Sequence, residues 1–439
     1  MTHPGSAPTG QPEAADDGQP QDIALPLATD DSAGSPKPKS RTGPAIGIVV
    51  AVVVVIAGGI GTWVAVGRSG GSGAGSPQDA ASSLVADLGN DDVLGVVNDL
   101  PPSEGALLRS TLDDAAAQLK RIQAVKPDAS SQAATGLSIH ADGLKFDSSA
   151  VEQVNDHIAI TKLVAGKITF GAGLTTNQYT DAFLHAAFPN GAPKGQSTTV
   201  DIAKVAQSLG HPVRIATVKV NGRWYPSLFY TIADASLQAD HQNWPARSIA
   251  PIGSDTVNEA SEDFLQAVLD SDAQNAIART SPDEMAVLHD MGQVLVSQNK
   301  VTHDIKIAKI TFDDRQVTGG TEAVLRNMTL DANGQQIVIV HANGCYTVQI
   351  AGKQQEPLCA GGLADQLRAD PVTKSLPSGL IKSLDDMVRG LGQNGVGLVA
   401  TEQAENWYVD PGRSITQFAH DLEGSITRQD LVSMLQLSN

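Results

Sequence analysis

The chain is short of aromatic rings, cysteine and positive charge. Its 439 residues include 4 Trp, 5 Tyr, 8 Phe and only 2 Cys. Lys and Arg number 30 against 48 Asp and Glu, a net charge of −18, and no Lys/Arg run occurs. Binding along a phosphate backbone needs clustered cations, so the charge excludes a nucleic-acid partner. The acidity suits an exposed protein that must stay soluble. The first cysteine is Cys345, so no lipid-attachment cysteine stands near the N-terminus. The histidines are scattered, with no HExxH and no His/Cys cluster, so no metal site and no cofactor is expected. "DDRQVTGGTE" near Asp313 lacks the spacing of a calcium loop.

Two familiar patterns fail on context. Gly67–Gly71 matches G-x-S-x-G, but no strand precedes it and no helix follows. "GLGQNG", Gly390 to Gly395, matches G-x-G-x-x-G, but it follows a helix and reads as a helix stop and a turn.

What the sequence does have is one long apolar run. "AIGIVVAVVVVIAGGIGTWVAV", Ala45 to Val66, carries no charge. It is long enough to cross a bilayer as a helix, and it starts too late and runs too long for a cleaved signal. Residues 1–43 before it are rich in Pro, Asp, Ser, Gly and Gln and are expected to be a disordered tail. Lys37, Lys39 and Arg41 precede the span and only Arg68 closely follows it. That asymmetry puts the tail in the cytoplasm and the remainder outside the plasma membrane. Ala57, Gly61 and Ala65 share one face of the span, a spacing that lets two such helices pack as a homodimer. The expected organisation is a tail (1–43), a transmembrane helix (44–67), a Gly/Ser linker (68–77), a first repeat (78–240), a linker (241–254) and a second repeat (255–439).

The repeats are legible by alignment. "SPQDAASSLVADL" and "TVNEASEDFLQAVL" each open a helix, capped by Ser76 and by Thr256 with Glu259. Their apolar faces are Ala80, Leu84, Val85, Leu88 and Ala260, Phe264, Ala267, Val268. Asp92 then meets Asp272, Pro102 meets Pro282 and Glu104 meets Glu284. Both glutamates stand third from a helix start, where a carboxylate reaches back to the cap, and capping is preferred over catalysis. Later, "VDIAKVAQSLGHPV" matches "LIKSLDDMVRGLGQNGV", with Gly210 and Gly392 as left-handed helix stops. "VRIATVKV-NG-RWYPSLFY" and "QQIVIVHA-NG-CYTVQI" are strand, Asn-Gly turn, strand. Trp224-Tyr225 and Trp407-Tyr408 fall at equivalent positions on closing strands. Neighbours on a strand face opposite sides, so one ring of each pair is expected in the core and the other outward or in a cavity. Each copy therefore reads as α+β: two helices, antiparallel strands, an interposed helix and a closing hairpin.

With that order of elements and its "NGRWY" and "AENWY" strands, the chain resembles the NTF2-like (cystatin-like) domains that several actinobacterial membrane-anchored proteins carry outside the membrane. The resemblance covers most of residues 78–240 and 255–439, and the helices at 199–209 and 379–391 depart from the minimal fold. It implies helices against a curved antiparallel sheet, a fold that hosts enzymes, carriers and interaction modules and so assigns no activity.

Cys345 and Cys359 lie symmetrically about Gly352, as partners across a hairpin would, and a disulfide is expected, stabilising by about 3 kcal/mol. A redox role would want C-x-x-C. Asp147 and His157 are the groups that an enzyme of this fold would place in the cone of the first repeat, yet the second repeat has no equivalent of either. No catalytic residue is assigned. The expectation is a non-catalytic binding or scaffolding protein of the cell envelope. The alternatives are a carrier of a lipid or other small apolar ligand and, last, an envelope enzyme. A carrier leaves an apolar hollow where a scaffold fills its cones with side chains.

Overall fold

Helix caps set the start of each half. Ser76 accepts the Asp79 amide (3.1 Å) and Pro77 occupies the first turn of α1 (Pro77–Gly89), as expected. The short α2 (Val93–Asp99) and long α3 (Pro102–Arg121) follow. The computed structural model describes residues 73–90, 93–129, 137–147, 149–172, 176–298, 305–355, 357–359, 368 and 377–437, all within one compact unit. The expected tail and span, with Ala57, Gly61 and Ala65, lie outside the described residues. Among the described residues no helix is long and apolar enough to cross a membrane.

The first sheet is built on one long strand. After β1 (Leu137–Phe146) and β2 (Glu152–Gln153), β3 (Ile158–Ala172) pairs antiparallel with β1 along one edge. Then come α4 (Asp181–Ala187), β4 (Gln196–Asp201), α5 (Ile202–Leu209), β5 (Val213–Val220) and β6 (Arg223–Pro226). On the other edge of β3, β5 takes the first part (Ile158↔Val218) and β4 the last (Ala172↔Gln196). Asn221 (φ 50°) and Gly222 (φ 80°) turn β5 into β6, as the Asn-Gly pair requires. α5 is the interposed helix, with Asp201 as its cap and Gly210 as its left-handed stop.

The second half repeats the scheme. α7 (Val257–Leu269), α8 (Ala273–Ala278) and α9 (Ala286–Gln298) precede β7 (Ile305–Val317) and β8 (Gly320–Ala332). β8 is the long central strand, with β7 along one edge and β13 (Gly397–Gln403) and β9 (Gln335–Ala342) sharing the other. β14 (Asn406–Val409) closes on β13 as β6 closes on β5. The coarse α+β class is what the periodicities give. The halves differ between the paired strands. Where the first has α5, the second has β10 (Cys345–Ile350), β11 (Lys353–Gln354), β12 (Leu358–Cys359) and α10 (Ser378–Asn394). The Cys345–Cys359 disulfide joins directly opposed residues of β10 and β12.

Several local expectations are corrected. The segment after Pro226 is not strand but α6 (Leu228–Ala239), capped by Ser227, and α11 (Pro411–Glu423), capped by Asp410, follows β14. α12 (Arg428–Leu437) ends the described chain. α10 runs through Gly392 and stops at Gly395 (φ 84°). Gly392 is needed for close approach instead, since a Cβ there would stand 2.3 Å from the Gly344 carbonyl oxygen. On α7, Val257, Ala260 and Ala267 are buried, but Val268 faces outward.

The halves share a core. Ile158, Ile160, Ala216 and Val218 of the first sheet pack with Tyr230 of α6 and Val287 of α9. At the other end Leu431, Val432 and Leu435 of α12 pack against the cluster of Val125, Tyr179 and Phe183 in the first half. The connection 241–254 is held down: Trp244 stacks on Tyr230 (5.7 Å), and the Ile249 amide bonds the His289 carbonyl (2.9 Å).

Candidate functional site

The first half holds an apolar hollow of about 120 Å³ between α1, α2 and the concave sheet. Leu84, Val85 and Leu88 come from one face of α1, Val96 and Val97 from α2, and Phe146, Leu163 and Ile168 from the sheet. These are residues that helix and strand periods direct inward, yet their side chains stop short of filling the cone. The polar groups at the wall are already engaged. The Ser227 hydroxyl donates to Glu104 and accepts the Tyr230 amide (3.0 Å). Thr231 donates to the Ser227 carbonyl (2.6 Å) and accepts the Ala216 amide (3.0 Å). Arg214 is held by Asp234 (Nε–Oδ2 2.6 Å) and Glu152 (Nη1–Oε2 2.8 Å). Burial works against the Arg214 charge, but its two carboxylates outweigh burial and strengthen its hold on the proton. What enters this hollow meets hydrocarbon.

A second hollow of about 240 Å³ adjoins the first. Val85, Leu144 and Phe146 line both, and Gln78, Ser82, Asp147 and Thr161 give the second a polar side. Asp147 thus lies at a cavity of the first half. Hydrogen bonds from the Ser149 hydroxyl (2.7 Å) and amide (3.0 Å) hold its carboxyl below the usual range. His157 is elsewhere. Its Nδ1 meets Asp156 (2.7 Å) and its Nε2 meets Asp290 of α9 (2.9 Å). Asp290 also accepts from Tyr230 (2.6 Å) and Ser248. The hydrogen bond to Asp290 is the main cause that lifts the His157 pKa to about 9. Burial would raise Asp290, but its three donors together hold it down. This cluster ties the halves together; Asp147 and His157 act in separate places.

Glu104 and Glu284 are the larger surprise. Neither caps its own helix. Glu104 is 3% exposed and accepts the Ser227 hydroxyl and the Leu228 amide (3.0 Å), so it caps α6 from across the domain. Burial pushes its pKa up to about 7, against those hydrogen bonds. In the second half Asp410 stands where Ser227 stands, and Arg413 where Tyr230 stands. Glu284 is chelated by Arg413 (Nε–Oε2 2.8 Å), while its own amide is capped by the Ser281 hydroxyl. Burial and the neighbouring Asp410 raise Glu284, and Arg413 opposes them. Asp410 Oδ2 is buried and finds no hydrogen-bond partner among the described residues. The sequence places both glutamates at equivalent positions, but their burial depends on α6 and α11, which lie far along the chain.

All four aromatics belong to the core. Trp224, Tyr225 and Tyr408 are buried, Trp407 is half-buried, and none of the four lines either hollow. Both rings of the first pair are covered while Trp407 of the second keeps partial exposure, and a third segment crosses each closing strand. Ala74 pairs with Trp224 in two backbone hydrogen bonds, and Ser254 pairs with Trp407 in the same way. Gly73 and Gly253 make room, since a Cβ at either would meet the Tyr225 or Tyr408 ring at 2.5 and 2.7 Å. The recurrence of Gly73 and Gly253 before the two helix caps was the signal for this contact. Among the described residues no group of three or more His, Cys, Asp or Glu side chains is placed to hold a metal ion.

No family model, no curated protein and no solved structure matches the chain.

Proposed function

We propose that the chain is a single-pass, membrane-anchored, non-catalytic binding protein of an actinobacterial-type cell envelope. Residues 44–67 span the plasma membrane, the N-terminus is cytoplasmic, and two tandem NTF2-like domains stand outside. The first domain takes up a small apolar ligand. The observation that carries this reading is the hollow of about 120 Å³ whose walls are hydrocarbon and whose few polar groups are internally paired. A dry cavity of about that size is enough for a benzene-sized group. The test is native mass spectrometry, with lipid extraction, on the full chain purified from its host. A stoichiometric apolar ligand is expected. A clean unliganded mass would remove the ligand and leave the scaffold.

The scaffold has one observation of its own. Ile415 and Phe418, one turn apart on α11, are 71% and 41% exposed. Exposed apolar pairs of this kind suit a protein partner. Pairing of spans through Ala57, Gly61 and Ala65 belongs to the same proposal.

A further inference from the structure

We propose that the ligand is a single-tailed amphiphile with an uncharged, hydroxyl-bearing head, held tail-inward, its tail in the inner hollow and its head against Asp147 in the outer one. This rests on the apolar-ligand reading and adds the head, its charge and its orientation.

Continuity is the first argument. Val85, Leu144 and Phe146 line both hollows, so the two lie side by side and a molecule that reaches both must pass these three side chains. The inner volume of about 120 Å³ admits only a narrow apolar group, and the outer, at about 240 Å³, is the roomier end. Wall chemistry fixes the direction. Inside, Ser227, Thr231 and Arg214 are all engaged with protein partners, so a polar head buried there would lose its water and find little in return. Outside, Ser82 donates to the Gln78 carbonyl (2.8 Å) and Asp147 accepts from Ser149, but Gln78, Ser82 and Asp147 are half-buried or exposed, so a head placed against them keeps contact with water.

Charge selects the head. Among the described residues the outer hollow has one ionisable lining residue, Asp147, whose hydrogen bonds from Ser149 keep it ionised at neutral pH. A cation that acts on it, Lys162, is shared with Glu152 (3.5 Å), which also takes Arg214. A carboxylate or phosphate head would therefore meet a like charge with no cation committed to it. A hydroxyl head donates to the same carboxylate instead.

The experiment uses two photoreactive probes with the same eight-carbon, diazirine-bearing tail: a monoacylglycerol and the free fatty acid. Each is added to membranes carrying the full chain, and the label is mapped by peptide mass spectrometry. The glycerol ester is expected to label the segments holding Val85, Val96 or Phe146 at least about tenfold more than the fatty acid does. Asp147→Asn, at a half-buried position, is expected to raise fatty-acid labelling to the ester's level. Val85→Trp, where the hollows meet, is expected to abolish both. Equal labelling of the wild type by the two probes would overturn the head assignment and leave the apolar-ligand reading standing. Discrimination unchanged in Asp147→Asn would overturn the role of Asp147. No label in those segments from either probe would overturn the apolar-ligand reading itself.

Discussion

Glu104 shows how burial and hydrogen bonding pull one carboxyl in opposite directions. The Leu228 amide and Ser227 hydroxyl favour its charged form, yet loss of water wins and its pKa rises from 4.5 to about 7. Below pH 4.5 the folded and unfolded chains both hold the proton, and its stabilising effect is complete. As pH rises toward 7 the unfolded chain releases the proton and the folded chain keeps it, so stability falls, and above 7 the contribution is gone. Glu104→Gln keeps an acceptor for Leu228 and removes the titration. Urea unfolding between about pH 4 and 8 is expected to show a shallower loss for Glu104→Gln, the difference reaching about 3 kcal/mol. Parallel curves would mean that Glu104 titrates in the ordinary range. Glu284 solves the same problem differently. Once Ser227 is replaced by its counterpart Asp410, a second carboxylate has entered the site, and Arg413 supplies the compensating charge.

The elements that could be read from the sequence are those whose causes are local. Asn221-Gly222 and Asn343-Gly344 each dictate a turn within their own two residues, and both hairpins formed where those pairs stand. Ser76 and Thr256 likewise announce helix starts. Ser227 announces one just as locally, yet the strand read in "RWYPSLFY" carried on past its true end at Pro226. What the sequence does not display is contact between distant segments: Glu104 on the cap of α6, and α12 on the first half. That last contact is testable. Arg428 donates to the Ile122 carbonyl (3.1 Å), and Val432 packs against the Phe183 cluster. Val432→Asp places an unpaired charge in that contact, which is costly enough to lift the helix off. Hydrogen exchange is then expected to quicken in α4 and in residues 122–125, with β13 and β14 unchanged. If protection in α4 were unaffected, α12 would be a passive tail and not a strap.

A chain read as two domains on a linker would behave as two folding units, each with its own stability. The contacts argue for one. Asp290 of α9 gathers His157, Tyr230 and Ser248, which come from the first sheet, α6 and the connection. Ser103 donates to the Asp283 carbonyl (3.1 Å), and Arg121 to the Ile426 carbonyl (2.7 Å). Apolar contact accompanies the polar network, since Val287 lies in the same cluster as Ile158 and Val218. An interface that combines a shared core with buried charge couples its two sides, because opening it strands Asp290 and exposes that core. Trp224 and Trp407 report on the two halves separately. Variants of the full chain that keep only one of them, the other tryptophans replaced by Phe, are expected to unfold in guanidinium with coincident midpoints. Asp290→Ala should lower both midpoints together, because His157 keeps its charge near neutrality only through its carboxylate partners. If the Trp407 midpoint moved while the Trp224 midpoint stayed, the halves would be independent modules, and the ligand hollow of the first would have no way to report to the second.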